Sequence, residues 1–80
     1  MVKIITALLL LFTLSFAAVN INRANSAQLQ TLSGIGPAKA AEIIKYRKSH
    51  GAFKHINELV NVKGIGPKTV QKLKAQITVR

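Results

Sequence analysis

Cysteine, tryptophan and aspartate are absent from this chain of 80 residues, and Glu42 and Glu58 are its only acidic side chains. Without cysteine there is neither a disulfide framework nor a thiolate metal site. Two isolated glutamates leave two-metal nuclease chemistry and paired-carboxylate catalysis without their parts. His50 and His55 have no Cys or Asp partners, so no metal site and no cofactor are expected. Proline is nearly missing as well: it occurs twice, at Pro37 and Pro67.

What the chain does carry is positive charge. Twelve Lys and Arg against two acidic residues give a formal net charge of +10 and a pI near 10.9. A small, strongly basic chain of one-domain size points to a polyanionic partner, either nucleic acid or an anionic surface.

The only long hydrophobic run lies at the start. Lys3 forms a short positive region, Ile4 to Leu14 is apolar, and Ser15-Phe16-Ala17 places small residues three and one before a cut after Ala17. This is the plan of a secretory signal peptide over residues 1–17. The apolar run is short of the roughly 20 residues that a spanning helix needs. Export out of the cytoplasm is therefore expected, with no membrane span after cleavage. The net charge of +10 falls to +9 in Ala18–Arg80, because Lys3 alone leaves with the leader.

The remainder is built on a repeat. Gly34-Ile35-Gly36-Pro37 returns thirty positions later as Gly64-Ile65-Gly66-Pro67, and at the same offset Leu29 answers Leu59, Leu32 answers Val62, and Ile43 answers Leu73. Self-similarity at a fixed period marks a duplicated supersecondary unit. Residues 18–24 read as an extended lead-in, with Val19 and Ile21 able to pack back on the domain at 25–80. Asn25 with Gln28 three positions on has capping-box spacing and starts a helix over about 26–32. Pro37 opens a second helix reaching about Ser49, with Ala40, Ile43 and Ile44 forming its apolar stripe and Gly51 following its end. Phe53 reads as a plug between the halves. A third helix is expected over about 56–62 behind His55, a poor cap, with Glu58 near its positive end. Pro67 opens the fourth, which turns Val70, Leu73 and Ile77 inward. Gln76 to Arg80 is β-branched and basic and reads as a tail or short extended end. The expected fold is all-α, a compact tandem of four short helices behind the signal peptide, and neither half can bury its apolar face alone.

These residues carry a resemblance. Leu-x-Gly-Ile-Gly-Pro followed by a helix is similar to the helix-hairpin-helix motif of non-sequence-specific DNA-binding proteins. The longer frame runs through Asn20-Ile21-Asn22, Ala24, Leu29, Leu32, Ile43-Ile44, Tyr46-Arg47, Gly51, Phe53 and Leu59 to the second Gly-Ile-Gly. It resembles the DNA-binding domain of ComEA-type competence proteins, in their short periplasmic form. The resemblance implies two hairpins on one face gripping phosphates of both strands of double-stranded DNA, in a receptor or retention factor for DNA uptake in natural transformation. It also implies contacts with uptake-machinery proteins, and it leaves oligomerisation on DNA open.

The residues themselves can do this chemistry. Glycines without side chains admit a phosphate to backbone N–H groups, and helix N-termini add unpaired donors. The candidate phosphate-binding set is Gly34, Ile35, Gly36, Ala38 and Lys39 in the first unit, with Lys63, Gly64, Ile65, Gly66, Lys68 and Thr69 in the second. Ile35 and Ile65 also read as core anchors. Backbone contacts carry no base code, so binding is expected to be sequence-independent and salt-sensitive. The second hairpin, flanked by Lys63, Lys68 and Thr69, is expected to hold phosphate more tightly.

Plainer readings stand beside each of these. The glycines can serve tight turns alone, Lys39 can pair with Glu42, and Lys45, Arg47, Lys48 and His50 can complement a helix C-terminus. Tyr46 reads as packing rather than a stacking platform, and Lys72 and Lys74 as a solvated face. A structural protein–protein module is the alternative function. No enzyme is expected: a nuclease or glycosylase would need acidic groups other than Glu42 and Glu58.

Overall fold

Asn25 begins the first helix as its spacing predicts. Its Oδ1 accepts from the Gln28 N–H at 2.8 Å, and Gln28 Oε1 accepts from the Asn25 N–H at 2.9 Å. Two donors that a helix start leaves unpaired are thereby satisfied. The computed structural model describes residues 18–80. The signal peptide expected over 1–17 lies outside the described residues. Helix α1 spans Ser26–Leu29, α2 Pro37–His50 and α3 Pro67–Leu73, with a 3₁₀ helix at Ile56–Asn61 between α2 and α3.

Two helices differ from expectation. Helix α1 ends three residues early, and tight turns continue to Leu32: Thr31 N–H donates to the Gln28 carbonyl at 3.2 Å and Leu32 N–H to the Leu29 carbonyl at 3.1 Å. Its repeat partner is 3₁₀ rather than α. His55 makes no side-chain cap, and the Glu58 carboxylate instead accepts from the Lys54 N–H at 3.3 Å. The missing side-chain cap does not by itself account for this, since α2 and α3 also start without one and are α-helical.

The all-α expectation also needs an addition. The lead-in forms strand β1 (Val19–Asn20), which pairs in parallel with β2 (Ile77–Thr78), Val19 opposite Ile77 and Asn20 opposite Thr78. Val19 N–H donates to the Gln76 carbonyl at 2.8 Å and Ile21 N–H to the Thr78 carbonyl at 3.1 Å. β-Branched residues on both segments favour the extended form. The domain is thus mostly helical and closes its two ends on each other. Ile77 turns inward from this strand, not from α3, which stops at Leu73.

The core follows the repeat. Leu29, Leu32, Ile35, Ala40 and Ile43 of the first unit and Leu59, Val62, Ile65, Val70 and Leu73 of the second are all buried, with Phe53 between them. Ile21, Ala24 and Ile77, contributed by the lead-in and the C-terminal strand, complete it. Tyr46 packs as its reading has it, stacked at 5.2 Å on Phe53 and at 4.1 Å on His50.

Three side chains tie the chain across long separations. Asn22 Oδ1 accepts from the Phe53 N–H at 2.6 Å while its Nδ2 donates to the carbonyls of Phe53 at 3.0 Å and Arg80 at 3.2 Å. Arg47, read from sequence as a C-terminal charge, donates through Nη1 to the Ile21 carbonyl at 2.9 Å. Gln76 Nε2 donates to Ser33 Oγ at 2.9 Å, and its Oε1 accepts from the Ser33 N–H at 3.2 Å.

Asn22→Ala strands the partly buried Phe53 N–H and removes three hydrogen bonds, so it should cost about 1–3 kcal/mol in urea unfolding followed by circular dichroism. Asn57→Ala, at an exposed position of the 3₁₀ helix, should stay within about 0.5 kcal/mol of the parent. Equal effects of the two would remove Asn22 from its bridging role.

Candidate nucleic-acid interface

The first glycine of each hairpin is fixed by backbone conformation. Gly34 has φ +77° and Gly64 has φ +88°, in the left-handed region that L side chains avoid. These turns send the following isoleucines inward, where Ile35 and Ile65 are each 4% exposed. Their amides are also used internally: Ile35 N–H donates to the Leu32 carbonyl at 3.1 Å and Ile65 N–H to the Val62 carbonyl at 3.0 Å. The two isoleucines in the candidate set therefore anchor the hairpins, and their N–H groups are not free for a phosphate.

The second glycine of each pair is a different case. Gly36 and Gly66 have φ −92° and −101°, values any residue adopts, and each caps the helix that follows. A Cβ placed on either would meet nothing within 4 Å. Beyond the N-cap preference for glycine, neither backbone φ nor packing among the described residues demands it at these two positions. Beside them are unused donors: among the described residues no hydrogen bond engages the amides of Gly36, Ala38 and Lys39, or those of Gly66, Lys68 and Thr69. The first turn of each helix thus presents N–H groups outward at a point bare of side chains.

The two hairpins lie against each other in a reciprocal way. A methyl group on Gly34 would sit 4.0 Å from Thr69 Cγ2, and one on Gly64 would sit 3.8 Å from Lys39 Cγ. Lys39 and Thr69 occupy equivalent repeat positions, so each hairpin's first glycine faces the same place on the other unit. This is the signature of a local pseudo-twofold axis between the hairpins.

The lysines around them are unequally committed. Lys39 is half-buried; its stem crosses to the second hairpin and its Nζ donates to the Gly34 carbonyl at 3.2 Å, in place of a pairing with Glu42. Lys63 and Lys68 are exposed and flank the second hairpin. Lys39 thus covers the outward carbonyl of the first turn while leaving a cation at the junction.

The described residues contain no group of three or more His, Cys, Asp or Glu placed to hold a metal ion, and no helix among them is long and apolar enough to cross a membrane.

Gly34→Ala should destabilise the domain by about 1–2 kcal/mol through its left-handed φ, whereas Gly36→Ala, which loses only the N-cap preference, should cost about 0.5 kcal/mol. Urea titration of the two variants decides this, and an equal loss in both would mean that Gly36 serves the fold after all.

Comparison with known proteins agrees with this geometry. The sequence profile described as the helix-hairpin-helix motif matches residues 15–78. The chain is 48% identical over 64 residues to ComE operon protein 1 of Bacillus subtilis, covering 80% of this chain and 31% of that protein. It is 42% identical over 60 residues to an uncharacterized protein of Haemophilus influenzae, covering 74% of this chain and 54% of that one. It is 38% identical over 61 residues to the human endonuclease/exonuclease/phosphatase family domain-containing protein 1, covering 76% of this chain and 11% of that protein. The chain spans less than two thirds of the length of each of these relatives. With both Gly-Ile-Gly turns inside the matched stretch and nearly the whole described domain covered by it, the chain belongs to the helix-hairpin-helix family.

Proposed function

We propose that this chain is an exported, non-enzymatic protein that binds double-stranded DNA without sequence preference and captures and retains incoming DNA during natural transformation. The observation that carries the reading is the pair of bare glycines, Gly36 and Gly66, each beside unused backbone donors, on two hairpins that pack reciprocally through Gly34 and Gly64. A phosphate oxygen accepts from such amides at close range only where no Cβ stands in the way. Two equivalent sites about a pseudo-twofold axis match the two antiparallel strands of a duplex, whose backbones are themselves related by twofold axes. Lys39, Lys63 and Lys68 then neutralise phosphates and release counterions, which makes binding tight at low salt and weak at high salt. Contacts of this kind position the duplex but read no base.

The assignment to DNA uptake rests on the kinship with ComE operon protein 1 together with the leader expected at residues 1–17. The match to an endonuclease/exonuclease/phosphatase family domain-containing protein covers 11% of that protein and does not argue for hydrolysis here. Only two carboxylates are present, and Glu58 is engaged in capping the Lys54 amide. The same reading makes uptake-machinery proteins its partners and leaves assembly of several copies along one duplex open.

Random-sequence duplexes titrated across a salt series should show log K falling against log salt with a slope of about −3, near one per lysine at the hairpins. Gly36→Val combined with Gly66→Val should retain the helical circular dichroism spectrum and lose at least about tenfold in affinity, since both phosphate approaches are blocked. Full affinity in the folded double variant would exclude the hairpins, and capture of a stable protein partner without DNA binding would favour an interaction module. N-terminal sequencing of the exported protein should begin at Ala18; recovery of the intact leader in the membrane fraction would contradict release into the periplasm.

A further inference from the structure

The pseudo-twofold axis allows the two junctions between units to be compared position by position, and they differ. At one junction Gln76, on the second unit, reaches Ser33 just before the first hairpin and closes the gap with two hydrogen bonds of 2.9 and 3.2 Å. The equivalent pair at the other junction is Tyr46 and Lys63, thirty positions away from each. No such closure forms there. The Tyr46 ring turns into the stack with Phe53 and His50, and a cleft of about 180 Å³ remains open between the second half of α2 and the approach to the second hairpin. Lys45, Ser49 and His50 line it from α2, and Asn61 and Lys63 from the other side. Glu42 is the one carboxylate in its wall, set against two lysines, so the lining stays net positive with His50 neutral.

This cleft lies directly beside the second hairpin, since Lys63 belongs to both. It offers two ammonium groups, a hydroxyl and an amide, all donors to a phosphate oxygen. We infer that it holds a further backbone phosphate of the bound duplex, extending the grip from the second hairpin along α2 toward the C-terminal end of that helix. The inference rests on the reading of the hairpins as a DNA clamp. It adds that the clamp is one-sided: the symmetric core holds two strands, and a third contact exists only where Gln76 has no counterpart. Lys45, read from sequence as part of a C-terminal charge cluster, is then a DNA-binding residue, whereas Arg47 of the same cluster is occupied by the Ile21 carbonyl.

The test is a salt series of duplex titrations by fluorescence anisotropy with the exported protein and single-charge variants. Lys45→Gln should lose affinity several-fold and flatten the slope of log K against log salt by about one, while Lys45→Arg restores both. Lys74→Gln is the control: Lys74 is exposed on a separate surface, with Asn57 and Val60 near the 3₁₀ helix. It removes the same charge and should leave the slope unchanged. If Lys45→Gln and Lys74→Gln weaken binding equally while the parent binds well, the cleft is not a contact and the hairpin clamp still stands. If the parent binds no duplex, the clamp itself is wrong and the cleft falls with it.

Discussion

Everything in this domain depends on the two hairpins packing against each other. Ile35 and Ile65, each at the tip of a turn, are buried in the one core that the two units share, and the backbones at Gly34 and Gly64 lie beside the opposing Thr69 and Lys39 side chains. One unit of about 25 residues cannot remove enough apolar surface from water to offset the entropy of ordering its backbone. Two can, provided that they meet through the same surface on each. The duplication is therefore a folding requirement before it is a functional one: equivalent packing on either side of an axis gives the two hairpins equivalent backbone donors.

The devices that hold the pair in register are not duplicated. Asn22 pairs with the backbone of Phe53 in the linker, Arg47 fixes the Ile21 carbonyl, Gln76 bridges to Ser33, and the β1–β2 pairing joins the ends. Each connects segments far apart in sequence, and the first three use a side chain with no equivalent at its repeat position. Symmetric hydrophobic contacts tolerate sliding, because they are not directional. Hydrogen bonds with fixed geometry remove that freedom. If the two hairpins bind two phosphate backbones as proposed, their spacing depends on this rigidity.

Local order was legible in the sequence to the extent that it is local. The capping box at Asn25, the prolines opening α2 and α3, the glycine turns and the apolar positions at the thirty-residue offset all depend on neighbours within a few residues, and all are found where expected. The weak cap at His55 foreshadowed trouble in the third helix, though not that it would resolve as 3₁₀. The parallel pairing of Val19–Asn20 with Ile77–Thr78 was beyond reach, because two-residue strands leave no periodic signal and their partners are at opposite ends of the domain. The roles of Asn22 and Arg47 were hidden for the same reason, since side chains that bond to distant backbone look like loop punctuation and surface charge. Lys39 shows the limit at the candidate site. Spacing offers it Glu42, but the first hairpin brings the Gly34 carbonyl within reach of its Nζ and its stem is needed over Gly64.

Asymmetry in charge then acquires a structural cause. In a perfect repeat both hairpins would grip DNA alike, and the complex would have no preferred direction along the duplex. Here Lys39 spends part of its hydrogen-bonding capacity on its own turn, while Lys63 and Lys68 stand free at the other hairpin. The difference follows from the packing: the position equivalent to Lys39 is Thr69, whose short side chain covers Gly34 without reaching a carbonyl, so the cations of the second unit fall on positions that face solvent. Under the proposed function, a shared core with unequal rims would make a clamp that closes on both strands through backbone amides and leans toward one side through its lysines. Directionality of that kind does not require reading a single base, because it resides in the protein's departure from its own symmetry.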